Sequence, residues 1–169
     1  AYGQIDWPLI NRKTFALVYE KPTGGRVNEI FKIEESDYQK TEFIQSVVSG
    51  VVEAFEQLST RGIVHRSLRA DNLFFADEQR EKVVIGEFIT SPPGFDQPMI
   101  YETIENGMAN PGAREHGTVM DDMYAFGVVI AALSQRELPC ENDSTEEIIV
   151  SKIANSTFAT LIGKQLITS

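Results

Sequence analysis

The chain has 169 residues, 42% of them hydrophobic, with 25 acidic against 15 basic side chains and a net charge of −10. That length and composition suit one domain with a real core, while the acidic balance argues against a nucleic-acid or anionic-membrane partner. No run approaches the roughly 18 apolar residues of a membrane span, no signal-peptide pattern opens the chain, and Cys140 is alone, so no internal disulfide forms and a cytoplasmic setting is expected.

In chain order, "DWPLI" and "TFALVYE" read as a β-hairpin around "NRK", because both runs are rich in β-branched and aromatic residues. "KPTGG" then breaks the strand. The clearest helix lies in "SDYQKTEFIQSVVSGVVEAFEQLSTRG". There Phe43, Ile44, Val47, Val48, Val51, Val52, Phe55 and Leu58 recur at spacings of three and four, which predicts one helix over Thr41–Arg61 stopped by Gly62. Gly50 sits inside it at a cost of about 1 kcal/mol relative to Ala, and so predicts a close helix contact at that point.

"NLFFA" and "EKVVIGEF" follow as short strands around a polar turn. Thr90 to about Gly117 is rich in Gly and Pro, lacks periodicity and reads as a long loop. "MDDMYAFGVVIAALSQ" is apolar nearly all round and predicts a buried helix over Asp122–Ser134. Ser144 and Glu147 form a capping-box pattern ahead of a last helix.

The stretch "HRSLRADN", His65 to Asn72, resembles the catalytic loop of the eukaryotic-type protein kinases, whose usual form is HRDLKPDN. "VVIGEFI" resembles the strand leading into that family's DFG, "DDMYAFGVVIAAL" its buried D-x-W-S-x-G helix, and "FALVYEKPTGG" its hinge strand. The four segments come in the right order and span roughly Phe15 to Leu138.

The resemblance implies a role for each matched residue. His65 would pack on Phe88 and join two motifs, which is hard to tell from an ordinary core histidine. Arg66 corresponds to the residue that receives a phosphate in active relatives, or here holds the loop by hydrogen bonds. Ser67 replaces the Asp that accepts the substrate proton, and a neutral hydroxyl supplies no acceptor charge. Arg69 stands for the Lys near the γ-phosphate, with different geometry. Asn72 matches a Mg²⁺ ligand, while Asp71 reads as a polar turn residue. Glu87, Phe88 and Ile89 fall on DFG. Glu87 keeps a carboxylate that is one methylene too long for a tight octahedral site, and Ile89 replaces a permissive glycine.

At the hinge, Tyr19 backs the nucleotide pocket, Glu20 follows it, and Pro22 removes a backbone N–H that normally bonds adenine. Asp122 either holds the catalytic loop by its backbone N–H groups or caps its own helix, with Asp121 competing. No clear APE is found, since Ala113, Arg114 and Glu115 of "NPGARE" fit poorly. No Gly-rich loop or V-A-I-K strand is present either.

The resemblance thus implies an α+β chain, mainly a helical kinase-like C-lobe (21–169) with an N-lobe hairpin stub and hinge (1–20), as a single domain incomplete at both ends. The function implied is a catalytically impaired kinase fold, a pseudokinase acting in regulation or protein binding. The alternatives are a working serine/threonine-type kinase with Asn72 and Glu87 on metal, relying on substrate alignment alone or on Asp71 as base, or an interaction module that binds no nucleotide. No cofactor is expected, ATP and Mg²⁺ binding at most weakly. The expected partner is a protein, with no nucleic acid and no membrane insertion.

Overall fold

The computed structural model describes residues 2–7, 9, 11–31, 37–86, 97–109, 117–135 and 143–155. It is a mixed α/β fold with two small antiparallel sheets. Strands β1 (Tyr2–Trp7) and β2 (Arg12–Leu17) pair antiparallel, with Tyr2 opposite Leu17 and Trp7 opposite Arg12. The expected hairpin is present but shifted. β1 stops before Pro8, which has no N–H to give the ladder, and Arg12 and Lys13 of the expected turn belong to β2. Asn11 turns the chain instead at φ 47°, a left-handed conformation that asparagine tolerates.

A short helix α1 (Val27–Phe31) leads to α2 (Asp37–Ser59), the expected long helix. Its buried face is narrower than the apolar stripe. Phe43, Val47 and Val51, four apart, reach the core, while Val52 is 43% exposed. Phe43 meets Phe75 edge-on at 5.5 Å, fixing α2 on β3 (Leu73–Phe75), which pairs antiparallel with β4 (Val83–Ile85). Helix α4 (Val119–Gln135) crosses the core with Ala125, Val128, Val129, Ala132 and Leu133 buried, and Phe126 packs edge-on to Phe55 of α2. The core therefore lies between α2, the β3–β4 ribbon and α4.

Gly50 shows what its cost permits. A Cβ built there would lie 2.7 Å from Val83 Cβ and 2.8 Å from Val83 O, so the close approach is to strand β4. Gly50→Ala is therefore expected to destabilise by about 1–3 kcal/mol despite the better helix propensity. Chemical denaturation checks this, and a gain in stability would contradict the packing.

Helix α5 (Thr145–Asn155) opens with the expected capping box. Ser144 N–H donates to Glu147 Oε2 at 2.8 Å, and Glu147 N–H donates to Ser144 Oγ at 3.3 Å. The Ser144 N–H and, at 2.8 Å, the Ser144 hydroxyl both donate to Oε2 and hold the Glu147 carboxyl below its usual range.

The stretch read as a long loop is more ordered where it is described. A single 3-10 turn at Met99–Tyr101 is followed by helix α3 (Ile104–Met108). Part of the reason is local chemistry that periodicity misses. Thr103 caps α3 by accepting from Asn106 N–H at 3.3 Å, and Met99, Ile100 and Tyr101 are buried. No helix among the described residues is long and apolar enough to cross a membrane.

Candidate functional site

The "HRSLRADN" segment follows α2 directly. Gly62, at φ 65°, turns the chain with its N–H bonded to Ser59 O at 3.0 Å. The loop then runs inward, so His65 and Arg66 are 3% and 2% exposed. Their backbone N–H groups have no ladder or helix to join, and both donate to one carboxylate. His65 N–H reaches Asp122 Oδ2 and Arg66 N–H reaches Asp122 Oδ1, each at 2.7 Å. Burial pushes the Asp122 carboxyl above its usual range, against the pull of these two bonds and of Arg66. Asp122 is not the helix cap, because α4 starts at Val119. Asp121, also in the first turn of α4, accepts from Thr118 N–H at 2.6 Å and from Thr118 Oγ1 at 3.0 Å, and so ties down the residue before the helix.

Arg66 adopts φ 60°, a left-handed conformation that costs a side chain of its type about 1–3 kcal/mol. The turn sends its guanidinium into the protein. Nη2 donates to Glu102 Oε1 and Oε2 at 3.1 and 2.9 Å, and Nη1 lies 3.2 Å from Asp121 Oδ2. Gly117, itself at φ 72°, closes over this group. A Cβ there would come within 2.3 Å of Arg66 Nη1.

The His65 ring is held in one neutral tautomer. Nε2–H donates to Gly86 O at 3.3 Å, which leaves Nδ1 to accept from Ser67 N–H at 3.2 Å. A second ring proton at Nδ1 would face that N–H. Burial, with Arg69 adding to it, pushes His65 down to about 4, against the Gly86 carbonyl. Asn72 Nδ2 donates to Ser67 O at 2.8 Å and lies 3.5 Å from Ser67 Oγ. Gly86 N–H donates to Asn72 O at 2.7 Å, tying the loop to the end of β4. Arg69 Nε pairs with Asp71 Oδ1 at 3.0 Å, but the side chains are 23% and 46% exposed, so solvent screens the pair.

A cavity of about 560 Å³ opens above this loop, lined among others by Tyr19, Glu20, Pro22, Arg69, Asp71 and Asn72. The expected hinge residues Glu20 and Pro22 thus share one cavity with Arg69 and Asn72 of the loop. Its floor is apolar, from Phe74, Val84 and Ile85, and Arg26 at its edge stacks 5.7 Å above the Phe74 ring. The volume suits a small organic ligand. Ser67, His65 and Asp122 do not line it.

Chemically the loop is well held, and apart from Asp71 it is poor in bases. Ser67 offers a neutral hydroxyl, His65 is neutral with both ring nitrogens engaged, and the Asp122 oxygens accept from backbone. Of the two expected metal ligands, Asn72 is described and Glu87 lies outside the described residues, as do Phe88, Ile89, Ala113, Arg114 and Glu115. Among the described residues no group of three or more His, Cys, Asp or Glu side chains could hold a metal ion.

Three polar residues that sequence reasoning passed over hold this region. Glu102 is 1% exposed and pairs with Arg66. Tyr101 takes a backbone hydrogen bond from Ala70, and burial pushes its phenol up to about 12. Lys152 is 2% exposed and binds the carbonyls of residues 99, 100 and 102. A signal for Lys152 existed in the sequence, because it lies one helical turn from Ile148, on the buried face of α5.

No family model matches the chain. It is 30% identical over 132 residues to the receptor-like kinase TMK4 of Arabidopsis thaliana, covering 72% of this chain and 14% of that protein. It is 26% identical to serine/threonine-protein kinase D of a Synechocystis species, over an alignment of 172 positions covering 92% of this chain and 32% of that protein. The chain thus spans less than a third of either relative, and both matches point to a protein-kinase-like relationship.

Proposed function

We propose that this chain is a protein-kinase-like region that does not transfer phosphate and acts through protein binding: a pseudokinase. On this reading residues 1–20 are small-lobe strands and hinge, and residues 21–169 belong to the large lobe, in a cytoplasmic protein. The observation that carries it is the company Ser67 keeps. Asn72 bonds to its carbonyl, His65 receives its N–H, and Asp122 fixes the two residues before it. The bonds that shape the loop are present, and the side chain where phosphotransfer needs an acceptor charge is a hydroxyl. Losing such a group costs orders of magnitude in a reaction that depends on positioning and electrostatics.

Pro22 supports weak nucleotide binding in the same cavity, since it offers adenine no N–H. An acceptor left unpaired in a dry pocket costs about 1–3 kcal/mol. One observation favours the working-enzyme reading: Asp71 lines the cavity together with Asn72 and could serve as base. Calorimetric titration of the 169-residue chain with ATP and Mg²⁺ tests the proposal. The expected dissociation constant is near or above about 1 mM, where binding is worth about 4 kcal/mol. Low-micromolar binding would favour the enzyme reading.

A further inference from the structure

The short stretch from Gln97 to Thr103 has no sheet or long helix to belong to, yet its centre is among the most buried parts of the protein. Met99, Ile100, Tyr101 and Glu102 are 8%, 7%, 5% and 1% exposed. Two cations hold it from different elements. From α5, Lys152 Nζ donates to Met99 O at 2.6 Å, Ile100 O at 3.0 Å and Glu102 O at 2.5 Å. An ammonium has three hydrogens, and these three carbonyls match them. The 3-10 turn at Met99–Tyr101 helps bring those carbonyls to one point, and the ammonium also lies 5.2 Å from the centre of the Tyr124 ring. From the loop before β3, Arg66 Nη2 grips both oxygens of the Glu102 carboxylate. Glu102 is therefore held at its side chain by one cation and at its backbone by the other.

Burying a lysine and an arginine is costly unless the site around each is complete. The Lys152 site is complete, while at Arg66 the chain supplies Glu102 and Asp121 but leaves Nε and Nη1 without a hydrogen bond. We infer that Arg66 and Lys152 form a two-sided lock that keeps the 97–103 stretch seated with neither a bound ligand nor a covalent modification. The lock fastens the His65–Asn72 loop to α4 and α5, since Arg66 also pairs with Asp121 and Tyr101 bonds to the backbone of Ala70. Lys152 is a positioning residue in this scheme. The inference rests on these contacts alone and stands whether or not the chain transfers phosphate.

Hydrogen–deuterium exchange on recombinant protein, shown by intact mass to be unmodified, tests the lock. Amides of residues 99–108 are expected to exchange at least about tenfold faster in Lys152→Met than in the unsubstituted chain, while those of α2 change by less than about twofold. Glu102→Gln, which keeps the carbonyl and weakens the Arg66 contact, is expected to speed the same stretch by a smaller factor. Lys152→Arg should recover part of the protection. If Lys152→Met does not fold, Glu102→Gln decides the matter by the same local readout. Equal exchange in the unsubstituted chain and the variants would overturn the inference. So would a uniform acceleration that includes α2, or a 99–108 stretch that stays unprotected until phosphate or nucleotide is added.

Discussion

Asp122→Ala is expected to destabilise the protein by about 3–5 kcal/mol, one of the two largest effects the structure implies. The carboxylate is 3% exposed and accepts two backbone N–H groups at 2.7 Å. Alanine would leave both donors buried and unpaired, at about 1–3 kcal/mol each. It would also free a loop in which Arg66 is held at φ 60°. Burial raises the Asp122 carboxyl, so its charge is not there for its own sake, but the two N–H bonds need an oxygen acceptor in either protonation state. Asp122→Asn, which keeps one such oxygen, should lose roughly half as much. Asp121→Ala removes the contacts to Thr118 and one of the two acids beside Arg66 and is expected to cost less, about 1–2 kcal/mol. Urea denaturation of the three variants checks the order, and equal losses at positions 121 and 122 would contradict it.

The second large effect is a loss of stability in mild acid that belongs to His65. Its ring is 3% exposed, and its pKa is lowered from 6.5 to about 4, with burial the main cause. The folded state therefore binds this proton less tightly than the unfolded chain. Stability from His65 is complete above pH 6.5, falls as the pH drops towards 4, and changes no further below that. Over the whole window the loss amounts to about 3 kcal/mol. Asp122, with its raised carboxyl, works in the opposite sense in the acid range, so a single curve would mix the two. The difference between the unsubstituted chain and His65→Gln isolates the histidine, because glutamine does not titrate. That difference is expected to shrink steadily between pH 6.5 and 4. Parallel curves would mean the histidine is not held neutral.

What the sequence made legible follows the range of the forces involved. Helix α2 and the core of α4 could be read from spacing, because each buries a face set by residues a turn apart. The Ser144–Glu147 capping box could be read because its partners are three residues apart. The hairpin was found but misplaced, since apolar runs do not show where a ladder ends. The Met99–Met108 region escaped notice because no periodic face defines it. Its order comes from Lys152, 53 positions from Met99, and from Arg66, 36 positions from Glu102.

The candidate site divides in the same way. The motif named His65, Arg66, Ser67, Asn72 and Asp122 as the residues to examine. It did not reveal that Asp122 is engaged by the loop 57 positions away while Asp121 holds Thr118 at the start of the helix. Nor did it show that the guanidinium of Arg66 is engaged by acids of this chain, at positions 102 and 121. Contacts of that kind depend on how distant elements pack, and no local pattern encodes them.

The measurement that bears most directly on the central claim is transfer of radiolabelled phosphate from ATP, with Mg²⁺ or Mn²⁺, to the chain itself and to generic protein substrates. Incorporation at background is expected, and Ser67→Asp alone should not raise it, because Pro22 and the Glu87-Phe88-Ile89 substitution remain. Incorporation above background that disappears in Asn72→Ala or Asp71→Asn would contradict the pseudokinase reading and make this chain an enzyme.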